Sequence, residues 1–320
     1  MHLQQPSFGM IASLAVAGLL SLALVTPTEA QMGDGTRSSL EGSDESSGPT
    51  APAPQNISYG ADPMQTLDYR APVKAPAHGS RPPLIVFVHG GAWTRGTKDN
   101  GTGRWKEAHF PENGYAFATI DYRLVPGVQV EDEANDVAHA VRTLINKAGT
   151  LGFDPRRIVL MGHSAGAHLV ALVGTDPRYL AQAGLSASDI AGVIAIDGAA
   201  YDVPKQMSSA GLFMRNKYVE AFGNDPARQR ALSPTLHAVT PGTARDISHF
   251  LLLHVQRPDG IAQADELAQA LRQNGVAVQE NGFAGNGLLG HLTINRRLGD
   301  PNYEATPVVD AWLKLLFARP

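Results

Sequence analysis

The sequence predicts an α/β fold, built as a doubly wound and mostly parallel sheet with helices on both faces. Two observations carry this prediction. Several short runs are continuously apolar and rich in β-branched and aromatic residues, as in strands that are buried on both faces of a parallel sheet. Between these runs lie segments whose apolar residues recur with the 3.6-residue period of an amphipathic helix. Alternation of the two patterns along the chain is typical of this fold class.

Six segments are predicted to be strands. The first, Leu84–Val88 with the sequence LIVFV, follows two prolines and is apolar throughout. The others, of which the last has the weakest pattern, are residues 115–120, 157–161, 193–196, 250–254 and 276–279.

Helices are predicted between these strands. Residues 131–147 and 262–273 have apolar positions at helical spacing, and the second segment ends at an Asn-Gly pair that favours termination. Thr306 and Pro307 predict the start of a last helix, with Thr as the N-cap and Pro in the first turn.

The N-terminus predicts export. Residues 10–25 form an apolar run that is shorter than the ~20 residues that span a bilayer, and a small-residue cleavage pattern follows at residues 28–30. Residues 1–30 are therefore interpreted as a signal peptide of a secreted or periplasmic protein. Because residues 1–9 contain no Lys or Arg, an uncleaved membrane anchor is the alternative. No other segment is apolar enough over a sufficient length to span a membrane.

Composition divides the remaining chain and excludes several classes of function. Residues 31–56 are rich in Gly, Ser, Pro and acidic residues and predict a disordered linker, which leaves residues 57–320 as the catalytic domain. The net charge of −4 gives no basic field for nucleic acid. The absence of cysteine excludes disulfides, thiolate metal sites and a cysteine nucleophile.

The motif GHSAG at residues 162–166 predicts a nucleophilic serine, Ser164. It lies between the strand at 157–161 and a helix-like segment, where a sharp turn presents the hydroxyl above the sheet edge. The alternative is a tight turn that carries a solvated serine.

A serine nucleophile needs a base, and the base needs an acid that orients it. Of the histidines after Ser164, we favour His291 as the base because it lies in a late glycine-rich segment that predicts a loop. A surface-loop histidine is the alternative for His291. The other histidines of this part of the chain are His168, His237, His249 and His254.

The acid should lie at the end of a strand. Asp259 follows the strand at 250–254 on a predicted Pro-Gly turn, and is the favoured candidate. The competing carboxylates are Asp197, Asp202 and Asp265.

The segment HGGAW at residues 89–93 follows the first strand and predicts an oxyanion hole. Consecutive glycines allow backbone N–H groups to point inward, so Gly91 and Ala92, with Ala165 after the nucleophile, are the expected donors. Trp93 and His163 are expected to contact substrate, although a packing role is an equal alternative for Trp93.

HGGAW, DYRLVP at 121–126, GHSAG and GHLTIN at 290–295 together resemble the HGG-type carboxylesterase branch of the α/β-hydrolase superfamily. The chain is similar to feruloyl and acetyl-xylan esterases and to kynurenine formamidases over residues 57–318. The resemblance implies the α/β-hydrolase fold, with Ser164, Asp259 and His291 as the triad. Two departures from the family pattern are Ala92 in place of a third glycine, and HVQRPD in place of HGxxD. No cap helices precede the domain, so an open pocket is expected.

These features predict a serine carboxylesterase that cleaves short-chain or small aromatic esters through an acyl-enzyme. No metal or organic cofactor is expected, because metal-spaced ligands and phosphate loops are missing from the sequence. The expected partner is a small-molecule ester, with no nucleic acid and no membrane insertion after signal cleavage. The alternatives are an arylformamidase, which export argues against, and a non-catalytic binding protein, which three triad candidates argue against.

Overall fold

The computed structural model describes residues 50–74, 80–239 and 247–318. The predicted signal peptide and most of the predicted linker lie outside these residues. The first strand begins at Gln55, two residues before the predicted domain boundary.

One eight-stranded sheet organises the chain, in the order β1-β2-β4-β3-β5-β6-β7-β8. The pairs β1–β2 and β2–β4 are antiparallel, and all the other pairs are parallel, which confirms the predicted mostly parallel sheet. The strands are β1 Gln55–Ser58, β2 Thr66–Arg70, β3 Leu84–Val88, β4 Ala116–Ile120, β5 Ile158–His163, β6 Gly192–Ile196, β7 His249–Gln256 and β8 Ala277–Asn286.

Strands β1 and β2 were not predicted, because they are short and their sequences, QNIS and TLDYR, are not apolar runs. Strand β2 nevertheless buries two charged side chains. Asp68 lies 3.6 Å from the Nζ of Lys98, and Arg70 lies 3.3 Å from the carboxylate of Glu107. Each buried charge of β2 thus has a partner of opposite charge, which offsets part of the cost of its burial and which sequence pattern alone does not reveal.

Helices cover both faces of the sheet, and the three predicted helices are all present. They are α1 Lys98–Gly101, α2 Arg104–Glu112, α3 Val130–Leu151, α4 Ala165–Thr175, α5 Pro177–Gln182, α6 Val203–Ser209, α7 Leu212–Phe222, α8 Pro226–Ala231, α9 Pro234–Ala238, α10 Pro258–Gln273, α11 Gly287–Arg297 and α12 Ala305–Phe317. The last begins two residues earlier than expected, at Ala305 and not at Pro307. Thr306 is therefore inside α12 and is not its N-cap, and its hydroxyl accepts from the N–H of Gly299 at 3.0 Å.

Side-chain alternation along the buried strands creates two cores. In β3, Leu84, Val86 and Val88 pack against α3 and α4, whereas Ile85 and Phe87 pack on the other side with α2 and α12. Both faces are thus occupied, and the carboxyl ends of the parallel strands are left to carry functional groups. In the part of the chain that the structure describes, no helix is long and apolar enough to cross a membrane.

Candidate active site

Ser164 occupies the sharp turn between β5 and α4. Its φ of 56° and ψ of −117° are strained for a residue with a side chain, as expected of a nucleophile on a strand–helix turn. The two motif glycines permit this turn. A Cβ at Gly166 would lie 2.1 Å from the carbonyl oxygen of Val88, and one at Gly162 would lie 2.2 Å from that of Gly166. Only glycine fits at either position.

His291 lies beside the nucleophile. Its Nε2 is 3.0 Å from the Oγ of Ser164, and its Nδ1 is 2.5 Å from the Oδ2 of Asp197. Because an ionised carboxylate only accepts, Nδ1 carries the proton and Nε2 is free to accept from the serine hydroxyl. The structure thus brings together Ser164 and the predicted base in the geometry of proton transfer.

His291 is in helix α11 and not in the predicted loop. Two glycines in this segment, Gly287 and Gly290, weaken the helical pattern. The second is required by packing, because a Cβ at Gly290 would lie 2.5 Å from the carbonyl carbon of Gly285. The helix holds His291 91% buried, in a fixed position that a loop does not provide.

The carboxylate that contacts the base is Asp197, which corrects the expectation for Asp259. Asp197 follows β6 directly and its side chain is fully buried. Its second oxygen accepts from the backbone N–H of Val255 at 3.2 Å. Asp259 is instead the second residue of the exposed start of α10, and its carboxylate accepts only a long bond, 3.4 Å, from Gln206.

The two other carboxylates also serve local structure. Asp202 caps α6 by accepting from the N–H of Lys205 at 3.1 Å. Asp265 lies near Glu280, and burial, followed by the interaction with Asp265, raises the pKa of Glu280 to about 7.

Arg257 is a second partner of the buried carboxylate, and no motif in the sequence singles it out. Its Nε lies 3.1 Å from the Oδ2 of Asp197, and its Nη2 donates to the carbonyl of Gly198 at 3.1 Å. Burial by itself would raise the pKa of Asp197. The hydrogen bond from His291 and the charge of Arg257 outweigh burial and hold the pKa of Asp197 below its usual value. The carboxylate is therefore ionised at neutral pH.

Two of the three predicted oxyanion donors line the cavity of the nucleophile, and the third follows the nucleophile in the chain. Gly91 and Ala92 line the same cavity as Ser164 and have φ values of 141° and 52°, while Ala165 is the first residue of α4. Within residues 80–239 and 247–318, the N–H groups of these three residues donate to no protein acceptor. They are therefore available to a ligand, and the α4 N-terminus adds its positive dipole end.

His163 lines the cavity as predicted and also supports the base. Its Nε2 donates to the carbonyl of His291 at 2.9 Å, and the two ring centroids are 4.5 Å apart. Burial, followed by the nearby charges of His291 and Lys106, holds the pKa of His163 well below its usual value. His163 is thus a neutral donor that fixes the backbone of the base.

Trp93 does not contact the cavity, which corrects one of its two predicted roles. It is 1% exposed, packs edge-on against Phe222 at 4.7 Å, and donates from Nε1 to Nδ1 of His168 at 3.3 Å. Its φ of 61° belongs to the same left-handed turn as Ala92, and the side chain lies in the core. Phe222 belongs to α7, a helix that the sequence did not predict.

The cavity above Ser164 has a volume of about 490 Å³. The loop after β3, helix α7 and helix α11 supply most of its wall. It is lined by Gly90, Gly91, Ala92, Thr94, Arg95, Gly96, Asn100, Gly101, Gly103, His163, Ser164, Met214, Lys217, Leu288, His291, Leu292, Asn295 and Arg296. Its size suits a small organic ligand.

Comparison of the sequence with protein families finds the family described as BD-FAE over residues 72–219. An isoprenylcysteine alpha-carbonyl methylesterase of Arabidopsis thaliana is 35% identical over 117 residues, which cover 37% of this chain and 26% of that protein. The chain thus spans about a quarter of the length of this relative. Ethyl acetate hydrolase of Pseudomonas putida is 27% identical over 220 residues, 66% of each chain.

Solved structures resemble the chain over most of its length. Esterase B from Lactobacillus Rhamnosis has a TM-score of 0.66 at 21% identity and covers 85% of this chain and 88% of its own. Esterase 2 of Thermogutta terrifontis has a TM-score of 0.65 at 24% identity, with 84% and 94% covered. At such identities the likeness establishes a shared fold.

Proposed function

We propose that the protein hydrolyses carboxylic esters by acyl transfer through Ser164. Its fold is that of solved esterases, and residues 72–219 match the family described as BD-FAE. One observation carries the proposal. An unbroken hydrogen-bonded series joins the Oγ of Ser164 to His291 and His291 to the buried carboxylate of Asp197. This is the arrangement that converts a weakly nucleophilic hydroxyl into an attacking group.

In the proposed acylation step, His291 Nε2 takes the proton from Ser164 as the serine oxygen attacks the ester carbonyl. Negative charge develops on the carbonyl oxygen, where the N–H groups of Gly91, Ala92 and Ala165 donate to it. The C–O bond of the ester then breaks. His291 gives its proton to the departing alcohol, and the acyl group remains on Ser164.

Deacylation repeats the sequence with water. His291 removes a proton from the water, the resulting oxygen attacks the acyl carbonyl, and Ser164 recovers its proton as the carboxylic acid leaves. Asp197 remains ionised throughout and stabilises the transient imidazolium, which its buried contacts with His291 and Val255 support.

We further propose that the substrates are short-chain or small aromatic esters. A cavity of about 490 Å³ is within the size range of small-ligand sites. Ethyl acetate hydrolase, named for a short ester, is among the relatives.

A panel of p-nitrophenyl acetate, butyrate and octanoate tests the proposal, with wild type, Ser164→Ala and the control Ser208→Ala, which changes an exposed serine on α6. We expect turnover that is faster on the two short esters than on octanoate. Ser164→Ala should lower kcat by at least about 10³-fold, because the nucleophile is lost. Wild type should also be labelled by a fluorophosphonate.

Absence of turnover on every ester would contradict the proposal. N-formylkynurenine, assayed beside the esters, then separates the alternatives. Its cleavage would identify an arylformamidase, whereas ligand binding without any turnover would identify a binding protein.

A further inference from the structure

The cavity above Ser164 is lined by three cationic side chains and by no carboxylate side chain. Arg95, Lys217 and Arg296 reach it from three separate elements, namely the loop after β3, α7 and α11. None of its lining residues is Asp or Glu. The chain as a whole carries a formal charge of −4, so this concentration of positive charge runs against its overall balance.

Two of these cations are not neutralised. Lys217 is paired with Glu220 at 2.8 Å. In contrast, Arg95 and Arg296 form no ion pair with any carboxylate in the described residues. The neighbouring Arg297, which does not line the cavity, is instead paired with Asp300 at 2.7 Å. An acidic partner is therefore present for the arginine outside the cavity and missing for the one that lines it.

The same cavity has an apolar part. Met214, Leu288 and Leu292 line it, and Leu288 is 71% exposed, so no other described element covers it. A ligand that fits this lining has a hydrocarbon portion and an anionic group. A guanidinium group binds a carboxylate through two parallel hydrogen bonds, which the ammonium group of a lysine does not offer. The two arginines therefore favour a carboxylate as the anionic group.

We propose that the preferred substrates are carboxylic esters that carry a carboxylate, which Arg95 and Arg296 bind while Ser164 attacks the ester carbonyl. This inference rests on the proposed esterase function and names the substrate class of the same site. The positive cavity attracts the anion before contact and orients it after contact, so the preference appears in kcat/KM.

Two matched pairs of esters test the proposal. In the first pair, 4-acetoxybenzoate is compared with 4-acetoxybenzamide, which places the charge on the alcohol side. In the second, mono-p-nitrophenyl adipate is compared with p-nitrophenyl hexanoate, which places it on the acyl side. Each kcat/KM is divided by the ester's own rate of alkaline hydrolysis, which removes differences in intrinsic reactivity. We expect the anionic ester to be favoured in at least one pair, and the pair identifies the side.

Variants then assign the preference to residues. Arg95→Gln and Arg296→Gln should each lower the anionic-to-neutral ratio of kcat/KM by about two- to five-fold, the effect of one exposed charge contact. Arg297→Gln, whose arginine is already paired outside the cavity, is the matched control and should keep the wild-type ratio. Added salt should lower the ratio for wild type more than for the double variant Arg95→Gln/Arg296→Gln.

Hydrolysis of both members of each pair without preference for the anion would overturn this inference and leave the esterase proposal standing. A preference that survives the double variant would also overturn it. If no ester in either pair is cleaved, the esterase proposal fails and the inference fails with it.

Discussion

The imidazole of His291 and the guanidinium of Arg257 share the buried carboxylate at the centre of the site. Asp197 accepts from His291 and also lies 3.1 Å from Arg257, both through the same oxygen. The hydrogen bond from His291 and the charge of Arg257 together hold the pKa of Asp197 below its usual value. We infer that Arg257 is a positioning residue, which sets the orientation of Asp197 and the pH range over which this carboxylate stays ionised.

Replacement of Arg257 should therefore change the pH dependence of catalysis. In Arg257→Gln the pKa of Asp197 should rise, because the arginine charge that helps to lower it is gone. The acid limb of kcat/KM should move to higher pH by about one unit. Arg257→Lys keeps the charge and is the matched control. An unchanged acid limb in Arg257→Gln, measured on p-nitrophenyl butyrate, would rule out this role.

Among the elements, helix α2 supports the helix that carries the base. Lys106 of α2 is fully buried, and its Nζ donates to the carbonyl of Thr102 at 2.6 Å and to the carbonyl of Asn295 in α11. The ring of Phe87 lies 5.0 Å from the same Nζ. Burial lowers the pKa of Lys106 to about 7. A titrating lysine thus joins the segment before α2 to α11, on which His291 lies.

This lysine predicts a pH dependence of stability. The folded state releases its proton near pH 7 and the unfolded state near 10.5, so between these values the unfolded state binds more protons. Stability contributed by Lys106 therefore rises with pH, by about 1.4 kcal/mol per unit at most. The difference in unfolding free energy, wild type minus Lys106→Met, should increase between about pH 7 and 10 in urea titrations. A difference that is independent of pH would contradict the assignment.

Helices α6 to α9 fill the connection between β6 and β7 and also shape the site. The sequence offered only strand–helix alternation here. These short helices carry a proline in the first turn or follow a glycine, and they have no clear apolar period. Two consequences followed. Met214 and Lys217 of α7 line the cavity. Phe222 of α7 packs against Trp93 in the core, whereas the sequence predicted that Trp93 would either contact substrate or pack.

At the scale of the whole molecule, the sheet was predictable because strands such as β3 are continuous apolar runs, which burial on both faces demands. The nucleophile was predictable because its geometry is local, set by Gly162 and Gly166 around Ser164. The acid could not be predicted in the same way. Asp197 and Asp259 both follow a predicted strand, and the sequence alone does not show that β6 lies next to β5 in the sheet. Only the sheet order distinguishes the two carboxylates.

That order explains why Asp197 reaches the base. Strand β6 pairs with β5, so its carboxyl end lies beside the turn of Ser164, whose N–H donates to the carbonyl of Ile196 at 3.0 Å. Strand β7 is one position farther from the nucleophile. The segment after β7 contributes Arg257 to the site. This residue lies two positions before Asp259, the carboxylate that the family pattern favoured.

The most direct test of the account compares Asp197→Asn with Asp259→Asn in the hydrolysis of p-nitrophenyl butyrate. An asparagine at 197 keeps the shape but disfavours the imidazole tautomer that accepts from Ser164, so kcat should fall by about 10³- to 10⁴-fold. Asp259→Asn changes an exposed residue on α10 and should retain nearly full activity. A large loss in Asp259→Asn with little loss in Asp197→Asn would contradict the relay from Ser164 through His291 to Asp197.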